Sequence, residues 1–132
     1  MNGVATFLKV AAAVPILVGG LHLILGLNAD VLLGAKLPAS VIADPVLDSQ
    51  NRFYGVAFML FGLVLFAGGL DLKRYLPVVR GALWIFFAAG LARLLSVLLY
   101  GFPPPLVVML LLVEVVGTPI LLWWLARSRI GN

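Results

Sequence analysis

The chain has 132 residues, of which 64% are hydrophobic and 11% are charged, and its net charge at pH 7 is +4. A soluble domain carries about 25% charged residues, so this composition excludes a soluble fold and predicts a protein that lies in a lipid bilayer. The chain contains no cysteine, which excludes disulfides and thiolate chemistry. Its basic residues do not form the continuous stripe that a nucleic-acid-binding surface needs, so no nucleic acid is expected as a partner.

Four apolar segments are long enough to cross about 30 Å of hydrocarbon as helices, at about 1.5 Å of rise per residue. They are residues 10–27, 52–70, 80–100 and 105–126. No small-residue cleavage site follows the first segment, so we interpret it as a membrane helix and not as a signal peptide. The chain is therefore predicted to be a single all-α domain over residues 1–132, an integral membrane four-helix bundle.

The connections between these segments differ in length and character. Residues 28–51 are long and acidic, and their apolar pairs predict a cap folded onto the mouth of the bundle. Within them Asp44-Pro45 is a typical helix start, so the second helix is predicted to span 45–70 and to begin about two turns before the membrane. Residues 71–79 are predicted to be a short basic loop, and residues 101–104 a turn whose prolines open the fourth helix.

The distribution of basic residues predicts the orientation of the bundle. Six lie at one end and two at the other: Lys9, Lys73, Arg74, Arg80, Arg127 and Arg129, against Lys36 and Arg52. Because cytoplasmic flanks are enriched in Lys and Arg, both termini are predicted to be cytoplasmic (N-in, C-in) and the long acidic connection to face outward. We expect a multi-pass protein of the bacterial inner (plasma) membrane.

Glycines recur at intervals of seven residues on the first two helices. They are Gly19 and Gly26 on the first helix, and Gly55, Gly62 and Gly69 on the second. Seven residues are close to two helical turns, so each set forms one smooth stripe along its helix. Such stripes predict close packing between helix backbones within the membrane.

Arg93 and Glu114 are ionisable residues inside apolar segments, where an unpaired charge is costly. Each lies about 10–14 Å below the same membrane surface, by helical rise, on consecutive antiparallel helices. The two side chains are therefore predicted to contact each other or to share a bound group. A salt bridge that only locks the two helices together is the alternative interpretation.

Other polar side chains fall in the outer halves of the first three helices. They are His22, Asp48, Asn51, Arg52, Tyr54, Ser96 and Tyr100. Together with Arg93 and Glu114 they predict an outward-opening polar cavity with apolar walls, whereas the inner half is nearly all aliphatic or aromatic. A single histidine and the absence of cysteine argue against a metal or haem site, so no cofactor is expected.

A run of residues at the head of the second helix is similar to a known family. The run DSQNRFYG at residues 48–55, which continues into an apolar helix with Gly62, resembles the signature of the DUF4345 family of small bacterial membrane proteins. The Gly101-x-Pro103 turn is similar to a later part of that pattern. The positions that the resemblance marks are Arg52, Tyr54, Arg93 and Glu114. It covers residues 20–119 and implies a four-helix membrane fold, but no activity.

Three functions stay open at this point. The first is binding of an amphipathic small molecule such as a lipid, quinone or isoprenoid, either without chemistry or with Glu114 or His22 acting as a base. The second is an accessory subunit of a larger membrane complex, and the third is a small transporter that works as an oligomer. Binding is preferred because all four helices contribute polar residues to one end of the bundle, and whether the protein is an enzyme is left open.

Overall fold

A computed structural model of the chain describes residues 2–128, without the side chain of Asn2. It has six helices: α1 (Gly3–Leu25), α2 (Leu27–Leu32), α3 (Ala39–Ile42), α4 (Pro45–Leu70), α5 (Leu72–Tyr100) and α6 (Pro105–Arg127). Four of them, α1, α4, α5 and α6, are long and apolar enough to cross a membrane. No strand occurs within residues 2–128. The predicted all-α class and the four apolar helices are therefore confirmed, while Arg129 lies outside the described residues.

The predicted helix starts at the two proline motifs are confirmed. Asp44 is the N-cap of α4, and its side-chain Oδ1 accepts hydrogen bonds from the backbone N–H groups of Val46 (2.9 Å) and Leu47 (3.0 Å). Pro45 occupies the first helical position. A backbone N–H at this position has no acceptor within the helix, so proline loses no hydrogen bond there. At the other motif, Pro104 is extended and Pro105 begins α6.

The predicted basic loop at 71–79 is wrong, because α5 begins at Leu72 and not at residue 80. The Asp71 side chain accepts a hydrogen bond from the backbone N–H of Arg74 (3.1 Å), which caps the new helix directly after α4 ends. The first predicted segment is displaced as well, since the structure has α1 over Gly3–Leu25 in place of 10–27. Gly26 ends α1 with a positive φ of 56°, a conformation that favours glycine.

The long helices pack as antiparallel neighbours. Along α1 and α4, Gly19 lies beside Gly55 and Ile16 beside Gly62. A Cβ atom at Gly19 would lie 2.5 Å from the Gly55 carbonyl oxygen, and one at Gly62 would lie 2.9 Å from the Ile16 backbone nitrogen. Neither position has room for a side chain, so the predicted backbone-to-backbone packing is confirmed. At the terminal end, the Phe7 ring lies 5.8 Å from that of Trp124, which brings α6 against α1.

The buried apolar core lies at the end of the bundle that carries the termini. Its members are Val4, Leu8, Ala12, Leu65, Leu72, Val79, Leu83, Leu121 and Leu125. These residues come from the start of α1, the end of α4, the start of α5 and the end of α6. The core therefore fills one end of the bundle and leaves the other end, beside the connection between α1 and α4, to the polar side chains.

Candidate functional site

A cavity of about 450 Å³ lies at the end of the bundle opposite the apolar core. All four long helices line it, and so do residues of the connection between α1 and α4. Its polar lining consists of His22, Asp30, Asn51, Tyr54, Arg93 and Glu114. Five of these six residues were predicted as site residues, and the structure brings them together around one space.

Arg93 on α5 and Glu114 on α6 form the predicted ion pair. The Arg93 Nε donates to Glu114 Oε2 over 2.9 Å, and Arg93 Nη2 donates to Glu114 Oε1 over 3.0 Å. Two parallel bonds of this kind fix both orientation and distance. The Glu114 side chain is only 2% exposed whereas that of Arg93 is 36% exposed, so the carboxylate is enclosed and the guanidinium reaches beyond it. Gly90 allows this approach, since a Cβ atom there would lie 2.6 Å from the Glu114 Cβ.

Glu114 lies in a π-helical turn, Val113–Gly117, within α6. Pro119 follows this turn; it has no N–H to donate to the Val115 carbonyl, and its ring would clash with that oxygen in a regular α-helix. The Val113 carbonyl accepts two hydrogen bonds from Thr118, one from the backbone N–H, as in a π-helix, and one from the hydroxyl over 3.2 Å. The extra residue of this turn rotates the preceding part of the helix about its axis by about 100°, compared with a regular α-helix. Single π turns of this kind occur frequently at functional sites.

A second polar cluster joins α1, α2 and α4. The His22 Nδ1 lies 2.7 Å from the Val18 carbonyl oxygen, and His22 Nε2 lies 3.3 Å from Asp30 Oδ1. The Asn51 Nδ2 donates to the other Asp30 oxygen. The Asn51 Oδ1 is buried and has no hydrogen-bond partner among the residues that the structure describes. A buried acceptor without a donor lowers the stability of the folded chain.

Contacts at both ring nitrogens orient the His22 side chain. A carbonyl oxygen only accepts, so Nδ1 carries the hydrogen that points to Val18. The other ring nitrogen, Nε2, faces Asp30 Oδ1. The imidazole is therefore held between α1 and α2 at the wall of the cavity.

Asp48 and Arg52 form the predicted i, i+4 pair, but neither residue lines the cavity. The Arg52 Nε donates to Asp48 Oδ2 over 2.8 Å. The Arg52 Nη1 donates to the carbonyl oxygens of Leu23 (2.7 Å) and Ile24 (2.8 Å). These carbonyls belong to the last turn of α1, where no further N–H of the helix reaches them. Arg52 therefore caps α1 and ties it to α4.

The remaining predicted residues lie at the edge of the site. Ser96 and Tyr100 line a smaller hollow of about 310 Å³ that shares Arg93 and Val107 with the main cavity. Tyr54 lines the main cavity but is 64% exposed. Arg93 thus contributes to both spaces, and the main cavity and the hollow meet at its side chain.

Aromatic rings form part of the apolar wall. Phe58 on α4 and Phe86 on α5 both line the cavity, and their ring centroids are 6.0 Å apart with an angle of 23° between the planes. Phe61 stacks on Phe86 from the side of the apolar core, at 4.3 Å. The cavity therefore has polar groups on several sides and flat apolar surfaces on another.

Four helices that can each cross a membrane, with charged and polar side chains enclosed between them, define a small multi-pass membrane protein. The chain belongs to the family described as "Domain of unknown function (DUF4345)", whose model matches residues 4–125. The resemblance seen at residues 48–55 is thus confirmed. No curated protein and no solved structure matches the chain. Within residues 2–128, no group of three or more His, Cys, Asp or Glu side chains could hold a metal ion.

Proposed function

We propose that this protein binds an amphipathic small molecule, whose polar head enters the cavity and whose apolar part lies among the membrane helices. The observation that carries this proposal is the Arg93–Glu114 pair in the wall of the cavity, where Arg93 has hydrogen-bond donors that Glu114 does not use. Of the five N–H groups of Arg93, Glu114 takes two, and the other three have no acceptor among the described residues. A salt bridge that served only to lock helices would need no cavity beside it.

The size and lining of the cavity support the same proposal. Pockets for small molecules are typically about 300–1,000 Å³, mostly apolar, with a few polar groups that orient the ligand. The cavity falls in this range at about 450 Å³, and its apolar lining includes Phe58 and Phe86. The apolar core at the opposite end gives no continuous polar path through the described part of the bundle, which supports binding over transport.

Filling the cavity should expel the bound molecule. Ala89 lines the cavity, whereas the adjacent Ala88 does not, although both are on α5. We expect the Ala89→Phe variant to lose a small molecule that co-purifies with the gently solubilised wild-type protein and is identified by mass spectrometry. The Ala88→Phe variant adds the same ring to the neighbouring position and should retain the molecule. Retention by both variants, or no co-purifying molecule in the wild type, would contradict the proposal.

We further propose that the chain lies in the inner membrane of a bacterium with both termini in the cytoplasm, so that the cavity opens outward. Lys9, Lys73, Arg74 and Arg80 support this orientation, because they lie near the end of the bundle opposite the cavity. Lys36 lies in the connection between α1 and α4, at the cavity end. Basic residues concentrate on the cytoplasmic side of membrane proteins.

Cysteine labelling can test this orientation cleanly because the chain has no native cysteine. We expect a membrane-impermeant thiol reagent added outside intact cells to label the Lys36→Cys variant and not the Lys73→Cys variant. Both positions are exposed in the structure. After the membrane is permeabilised, both variants should react. Labelling of Lys73→Cys in intact cells would reverse the orientation and turn the cavity toward the cytoplasm.

A further inference from the structure

The cavity ends at a floor of aromatic rings. Phe58 on α4 and Phe86 on α5 are the lining residues of these two helices that lie nearest the apolar core. Phe61 lies on the core side of Phe86, with the ring centroids 4.3 Å apart, and packs against the core. Among the described residues, no member of the core lines the cavity. The cavity is therefore closed toward the end of the bundle that carries the termini.

The polar and the apolar lining residues lie at different depths. Phe86 is two helical turns, about 10 Å along the axis of α5, from Arg93 in the direction of the core. On α4, Phe58 likewise follows the polar lining residues of that helix in the direction of the core. Glu114 approaches α5 at Gly90, between these depths, but its side chain is 2% exposed and presents little polar surface. An apolar space about as deep as an extended octyl chain is long therefore lies between Arg93 and the floor.

The volume of the cavity limits the size of a molecule that it can enclose. At roughly the 30 Å³ that a water molecule takes in the liquid, about 450 Å³ holds about 15 non-hydrogen atoms. A glycerol or phosphate head with one octyl chain has about this size. A lipid with two long chains, or a quinone with a polyprenyl tail, is several times larger. Such a molecule would have to leave most of its apolar part outside the cavity.

We propose, on the basis of the function proposed above, that the ligand is a small single-chain amphiphile whose apolar part is about as long as an octyl chain. An oxygen of its head accepts from the N–H groups of Arg93 that Glu114 does not use. The apolar part points inward and ends against Phe58 and Phe86. Chain length decides binding because the surrounding lipid is as apolar as the cavity, so a chain gains only while it fills the space with close contacts. A longer chain would have to displace the packed rings of the floor.

Competition between chain lengths tests this inference. The protein in non-ionic detergent micelles is equilibrated with an equimolar mixture of the butyl, hexyl, octyl, decyl, dodecyl and hexadecyl ethers of glycerol. Native mass spectrometry measures the amount of each probe that stays bound, relative to its mole fraction in protein-free micelles. A second mixture contains the monoalkyl phosphates with the same chains. The two heads offer an oxygen acceptor without and with a negative charge, so retention from one mixture alone identifies the charge of the head.

We expect the octyl probe to be retained about tenfold more than the dodecyl and hexadecyl probes in at least one mixture, because overfilling a packed interior is costly. The Phe86→Ala variant opens the floor toward Phe61 and should shift the preference to the decyl or dodecyl probe. The Phe87→Ala variant is the matched control, because it makes the same change at the neighbouring position, which does not line the cavity. It should keep the preference for the octyl probe.

Equal retention of all chains, or retention that rises up to the hexadecyl probe, would overturn the inference, because the apolar part would then lie in the surrounding lipid. An unchanged preference in Phe86→Ala would also overturn it, and so would no retention from either mixture. The wild-type comparison decides even if Phe86→Ala does not fold. Co-purification with Ala89→Phe and Ala88→Phe tests the wider proposal separately. A two-chain lipid that only Ala89→Phe expels would support the wider proposal and contradict this one.

Discussion

Replacing Glu114 alone with methionine is expected to lower the free energy of unfolding by about 3–5 kcal/mol. Glu114 accepts both hydrogen bonds of the pair and is almost completely buried. Its removal would leave the Arg93 charge without a partner between apolar helices, where an unpaired charge costs several kcal/mol. The measurement is unfolding by sodium dodecyl sulfate in mixed micelles, with circular dichroism as the signal.

The double variant Arg93→Leu with Glu114→Met is the control for this loss. It removes the pair without leaving an unpaired charge, and such replacements are often neutral or stabilising by about 1–4 kcal/mol. We therefore expect its stability to equal or exceed that of the wild type. A single variant that loses less than about 1 kcal/mol would show that Arg93 finds another partner, and the ion pair would then contribute little to holding α5 against α6.

The fold could be predicted where apolar length and local capping act together. The bounds of α4 follow from Asp44-Pro45 at its start and from the end of the apolar run at Leu70. The start of α5 could not be found in this way. The charges of Lys73 and Arg74 predict a loop, but a helix can extend beyond the hydrocarbon with its charged side chains in water. The N-cap at Asp71 was the available signal.

The site could be predicted where two side chains on neighbouring helices lie at the same depth in the membrane and can therefore contact each other. Arg93 and Glu114 have matching depth on consecutive helices, and they pair as expected. Asp30 was missed as a site residue because its position depends on Gly26, where a positive φ turns the chain between α1 and α2. Arg52 was expected in the cavity, but its partners are backbone carbonyls of α1 that no side-chain pattern reveals.

The π turn around Glu114 shows a different limit. Pro119 is visible in the sequence, and a proline inside an apolar helix predicts a disturbance in the preceding turn. Whether that disturbance becomes a kink or a π turn depends on the hydrogen bonds that the neighbouring groups can make. Here the backbone N–H and the hydroxyl of Thr118 both donate to the Val113 carbonyl. The enclosed position of Glu114 therefore depends on a local adjustment that helical periodicity alone does not give.

The double variant Arg93→Leu with Glu114→Met also separates a binding site from a structural pair. We expect it to fold as stably as the wild type but to lose the co-purifying small molecule, because it removes the three unpaired N–H groups of Arg93 from the cavity. The measurement is mass spectrometry of the purified variant, with Ala88→Phe as the control that should retain the molecule. If the double variant retains both the molecule and every cellular phenotype of the wild type, the pair is only structural. The accessory-subunit function would then be favoured over binding in the cavity.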